Sequence, residues 1–164
     1  MSLMPDLAHP EPVEGCSRRI HVLRQAQDER FGSLRFAGYA ALFDVRDAGG
    51  DVIAPGAFAA GLAALPGPPP LLWEHRPHHR VGVVERVAED ARGLRVVARL
   101  DPGTRAAALL RAGAISGLSF GYRARDYRID GATRVLSRVD LFEVSLVAHP
   151  LQAGARVHLV LPGS

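Results

Sequence analysis

Three short stretches carry residue types suited to nucleophilic chemistry. Ser116-Gly117-Leu118-Ser119-Phe120-Gly121 offers two hydroxyls among glycines, whose lack of a side chain lets a substrate backbone approach closely. Leu71-Leu72-Trp73-Glu74-His75 ends an apolar run on a histidine, and Asp140-Leu141-Phe142-Glu143-Val144-Ser145 sets a carboxylate inside another. A serine, a histidine and an acid drawn from separate segments form an activated nucleophile. The competing reading of each is structural: the serines could face solvent from a glycine-bearing strand, and Glu143 could be an outward-facing strand acid. Strand alternation puts Glu143 on one face with Ser145, opposite Phe142 and Val144. A carboxylate buried in that run needs a partner, and His75 would provide one.

Such residues must be held by strands. Loose alternation with Phe36, Tyr39 and Phe43 predicts a strand over 34–43, followed by a turn through Asp47-Ala48-Gly49-Gly50-Asp51. Pro55-Gly56-Ala57-Phe58 opens a short helix to about Leu65, and the prolines of 66–70 end it. A brief strand over 71–74 delivers His75 to a loop, where Pro77 disfavours helix. Strands over 81–88 and 93–100 flank a hairpin turn, and Asp101-Pro102-Gly103-Thr104 caps a helix running to Arg111. Strands follow over 115–122 and 139–148, with an exposed hairpin over 127–135 between them and a last edge strand over 156–161. Many short strands with two small helices predict a β-rich (α+β) domain built as a closed or nearly closed β-barrel.

Composition bounds the function. A chain of 164 residues, 48% hydrophobic and 23% charged, makes one globular domain with a real core. All its fixed side-chain cations are arginines, scattered among acids without interleaved aromatics, which argues against a nucleic-acid face. The single cysteine, Cys16, allows no internal disulfide and fits a reducing compartment. No apolar run approaches the roughly 18 residues of a membrane span, and the N-terminus lacks the apolar core of a signal peptide. Residues 1–33 show no sustained period and are expected to form a disordered arm. The arm is similar to dispersed bacterial repeats read through in translation, which implies a true start further downstream. Residues 34–161 form the expected domain.

Further motifs fall in a definite order. Gly38-Tyr39-Ala40 with Phe43 precedes Gly50-Asp51-Val52-Ile53-Ala54-Pro55-Gly56-Ala57-Phe58, then Leu72-Trp73-Glu74-His75, Val81-Gly82-Val83-Val84 and Gly93-Leu94-Arg95-Val96. The stretch from Leu110 to Tyr122 and that from Asp140 to Val147 complete the set. Each motif is weak alone, but the ordered set resembles the prohead (procapsid maturation) proteases of tailed phages, relatives of the herpesvirus assembly proteases. The resemblance covers about 34–157. It implies Ser119 as nucleophile, His75 as general base and Glu143 as third member, where the herpesvirus proteins use a second histidine. Arg76 stands where the family usually has Asp after the histidine.

The activity so implied is a serine endopeptidase that cleaves scaffold or the N-terminal segment of a major capsid protein, and its own chain, inside an assembling procapsid in the host cytoplasm. The encoding element would be a phage, a prophage or a gene transfer agent. Self-association is implied with it; no cofactor, nucleic acid or membrane is. Few residues follow Val157, so the C-terminal extension that many relatives carry for scaffold attachment is expected to be missing, which a separate scaffold protein or a compact gene-transfer-agent or prophage version of the system would account for. Two other functions compete: a non-catalytic capsid-assembly module with the same fold, and a metal-dependent hydrolase using His75, His78 and His79, with His149 completing the ligands. Ser116 is the rival nucleophile.

Overall fold

A computed structural model describes residues 32–163. The expected arm, all but Gly32 and Ser33, lies outside the described residues, as does Cys16. Eight strands and two short helices follow in the order β1 (Leu34–Leu42), β2 (Asp51–Ile53), α1 (Ala59–Ala63), β3 (Pro70–Trp73), β4 (Arg80–Glu89), β5 (Gly93–Leu100), α2 (Arg105–Arg111), β6 (Gly117–Asp130), β7 (Thr133–Val147) and β8 (Val157–Pro162). One sheet holds every strand, in the order β6-β7-β3-β4-β5-β1-β8, with β2 alongside the first part of β7.

β7 organises the sheet. Along one edge it pairs antiparallel with β6; along the other it pairs in parallel first with β2, at Arg134 to Leu136, and then with β3, at Val144 to Leu146. The segment entering α1 lies against the stretch between them, where Val139 N–H donates to the Ala57 carbonyl at 2.9 Å. Gly61 permits the close approach of α1, since a Cβ there would lie 2.4 Å from the Val139 carbonyl oxygen. The remaining strands follow the period-2 pattern: β5 buries Leu94, Val96, Ala98 and Leu100 and turns Arg95 outward. Its turn from β4 is held by Asp90, whose Oδ1 accepts from the N–H groups of Arg92 and Gly93. Thr104 caps α2 by accepting from Ala107 N–H at 3.2 Å. Phe36, Phe58, Leu71, Leu118, Leu136 and Leu146 fill the interior.

Two expectations are corrected. The sheet is a curled half-barrel, not a closed barrel: among the described residues its edges, β6 and β8, pair only where they begin, through one bridge between Gly117 and Arg156 with bonds from Leu118 N–H to the Ala155 carbonyl and from Val157 N–H to the Ser116 carbonyl. Beyond that point β6 follows β7 into a hairpin whose outer half is mostly exposed, so no second ladder forms. That hairpin is also one continuous pair of strands, where the sequence suggested two strands and a separate excursion. Register shifts between Gly121 and Tyr122 and on either side of Asp126 absorb the change of alternation.

Candidate active site

β3 lies parallel to the end of β7 with Trp73 opposite Leu146, so the chain leaving β3 emerges beside Leu146 and Ala148 and must turn back to reach Ser145 and Glu143. It turns sharply there. Glu74 and His75 both adopt left-handed backbone, with φ of 49° and 56°, a conformation that costs a residue with a Cβ on the order of 1–2 kcal/mol. Four bonds hold it: Arg76 N–H donates to the Trp73 carbonyl at 3.0 Å, Glu74 N–H to the Leu146 carbonyl at 3.0 Å, Ala148 N–H to Glu74 Oε1 at 2.7 Å, and His75 N–H to Ser145 Oγ at 3.2 Å. Strain sustained at one point of a fold in this way is a frequent companion of function.

His75 Nδ1 then sits 2.5 Å from Glu143 Oε1. A carboxylate only accepts, so Nδ1 carries the proton and a neutral imidazole keeps its lone pair on Nε2. The other carboxylate oxygen, Oε2, accepts from the Ser145 hydroxyl at 2.6 Å. Glu143 is 8% exposed and Ser145 fully buried, whereas the His75 side chain remains 46% exposed. The bond to Glu143 raises the His75 pKa above its ordinary value; partial burial opposes this, and the charges of Glu143 and Glu74 add to it.

Ser119 stands directly opposite Ser145 in the β6–β7 ladder, and Gly121 directly opposite Glu143. Directly opposed residues project from the same face, which puts Ser119 on the face that carries the acid. Gly121 makes room for that acid: a Cβ there would lie 2.7 Å from both Cγ and Oε1 of Glu143. Phe142, the residue skipped where the register shifts, turns outward and is 51% exposed. Ser119 is 8% exposed, and among the described residues its hydroxyl has neither a hydrogen bond to His75 nor any other side-chain partner. Ser116 precedes β6, and its hydroxyl accepts from Arg156 at 3.2 Å.

His78, His79 and His149 are exposed, and no three His, Cys, Asp or Glu side chains among the described residues converge as a group able to hold a metal ion. The His75/His78/His79 cluster drawn from the sequence therefore does not gather in space; the Nδ1 of His75 is taken by Glu143. Among the described residues no helix is long and apolar enough to cross a membrane. The sequence assigned no role to Ser145 and gave Gly121 only that of leaving space for a substrate backbone, not of making room for Glu143. The spacing of Glu143 and Ser145 on one strand face was a signal for the first; the second shows only once β6 and β7 are in register.

An open β-rich sheet thus sets the strand of Ser119 beside the His75–Glu143 pair. A sequence model of the family described as "Caudovirus prohead serine protease" matches residues 21–162, and the chain belongs to that family. The prohead protease of Enterobacteria phage HK97 is 36% identical over 129 residues, which make up 73% of this chain and 57% of that protein. The chain thus spans a little over half the length of that relative. In fold it is similar to the bacteriophage T4 capsid assembly protease, with TM-score 0.56, 16% identity, and coverage of 71% of this chain and 82% of the other. It is also similar to KSHV protease solved with a hexapeptide phosphonate inhibitor, with TM-score 0.54, 15% identity, and coverage of 79% of this chain and 65% of the other.

Proposed function

We propose that the chain is a serine endopeptidase of the Ser–His–Glu type that acts during maturation of a phage-like procapsid. The observation that carries the reading is the 2.5 Å contact between His75 Nδ1 and Glu143, on the strand face that also carries Ser119. In the proposed reaction His75 Nε2 takes the Ser119 proton as Oγ attacks a peptide carbonyl carbon. The resulting imidazolium is stabilised by Glu143 and returns the proton to the leaving amine. Water then repeats the sequence on the acyl-enzyme, which restores Ser119. Ser145 is no rival nucleophile, being fully buried with its hydroxyl engaged at 2.6 Å.

Family membership supports capsid proteins as substrates: scaffold, the N-terminal segment of the major capsid protein, and the chain itself. The site of action would be the interior of the assembling procapsid in the host cell, with self-association raising activity as protein concentrates there. The test is intact-mass labelling with a fluorophosphonate at high protein concentration, on wild type and His75→Ala. One adduct on Ser119, lost in the variant, is expected. An adduct on Ser116 would keep the function and move the site. No adduct at any concentration would point to a non-catalytic assembly module. Co-expression with the cognate capsid protein would show the substrate as a truncation that Ser119→Ala abolishes.

A further inference from the structure

We propose that Ser145 is a positioning residue that locks the base to the acid, an inference that rests on the Ser–His–Glu reading. Its hydroxyl is the corner of a closed ring: His75 N–H donates to Ser145 Oγ at 3.2 Å, Oγ donates to Glu143 Oε2 at 2.6 Å, and Glu143 Oε1 meets His75 Nδ1 at 2.5 Å. His75 is thereby held twice by the same acid, directly through its ring and through Ser145 by its backbone. Only a group that both donates and accepts can close the ring, which a hydroxyl does and a methyl does not. The ring also spans the left-handed turn at Glu74 and His75, so it fixes the backbone from which the imidazole projects as well as the angle of the ring itself.

Burial makes this arrangement specific. Ser145 is fully buried, so water does not replace its hydroxyl in wild type. The charged groups acting on His75 are Glu143 from β7 and Glu74 from its own loop, and Ser145 touches the first of these. Without the hydroxyl, Glu143 keeps one partner and turns about its last torsion, and His75 loses its backbone tether. A misplacement approaching 1 Å at such a site lowers turnover about a hundredfold.

Ser145→Ala is expected to lower kcat by about ten- to a hundredfold with KM within about twofold, and to shift the acid limb of the pH–rate profile toward the ordinary histidine value near 6.5. Ser145→Thr, which keeps the hydroxyl, should recover much of the loss. The same variants are read independently of turnover by NMR titration of the His75 ring and by the signal of its Nδ1 proton. In Ser145→Ala the pKa of His75 should fall and that proton should exchange faster. A Ser145→Ala protein with an unchanged His75 titration and Nδ1 signal overturns the proposal, whatever its melting temperature. If the resting protein shows the NMR changes but no variant labels with fluorophosphonate, the hydrogen-bonded ring stands and the protease reading falls.

Discussion

A single methyl group added at Gly121 separates the role of Glu143 from its mere presence. In Gly121→Ala the new Cβ would lie 2.7 Å from Cγ and Oε1 of Glu143 and 3.1 Å from its Cδ. To regain ordinary contact the carboxylate must move by roughly 0.7 Å. A solvent-exposed glutamate would swing aside at little cost. Glu143 is 8% exposed and bonded through both oxygens, so the displacement stretches the 2.5 Å contact with His75, the 2.6 Å bond with Ser145, or both. By the effect of comparable misplacements in active sites, turnover by the proposed protease should fall about ten- to a hundredfold, or about 1.4 to 2.7 kcal/mol of transition-state stabilisation. The assay is the rate of fluorophosphonate addition to Ser119, followed by intact mass, with the His75 titration measured by NMR on the same samples. Gly67→Ala is the control, since a Cβ there meets nothing within 4 Å. A Gly121→Ala protein that labels at the wild-type rate, with His75 titrating as before, would refute the claim that Glu143 tunes the base.

Further outcomes are expected at His75 and at Asp51. His75 must be neutral to accept a proton, and its pKa is raised chiefly by the bond to Glu143, so activity should rise through a midpoint above about 6.5 and Glu143→Gln should move that midpoint down. The same shift stabilises the fold below about pH 6.5 and is lost as pH rises through the higher folded value; with His75 nearly half exposed, its effect on melting temperature should be small. Elsewhere, Asp51 is 8% exposed and accepts from Tyr122 Oη at 2.6 Å and from Arg134 Nε at 2.8 Å, which ties β2 to β6 and β7. These donors, Arg134 foremost, hold its carboxyl below the usual range, while burial pushes the Tyr122 hydroxyl up to about 12. Asp51→Asn should cost about 1–3 kcal/mol in urea denaturation at neutral pH. That difference should shrink as pH falls below about 3.9 and through the depressed folded value, where wild type loses the charge as well.

What the chain shows by itself depends on how local each cause is. The hairpin between β4 and β5, the Thr104 cap and the brief strand before His75 were legible because turn chemistry, capping and apolar runs act over a few neighbouring residues. The nomination of Ser119, His75 and Glu143 needed only residue type, order and resemblance. The sequence did not carry the relations between strands. Whether the sheet closes depends on where β6 and β8 run after Gly117 and Arg156, and no local propensity records that. Ser145 and Gly121 gain their meaning from a register that sets one beside the loop after β3 and the other across from Glu143. A one-residue slip would turn both to the other face with the local sequence unchanged. The strained turn at Glu74 and His75 is likewise largely a tertiary decision: neither residue favours left-handed backbone, and the bonds to Leu146, Ala148 and Ser145 hold the chain there beside the local bond from Arg76 N–H to the Trp73 carbonyl. Local chemistry and resemblance nominated the candidate groups, and long-range pairing decided which of them meet.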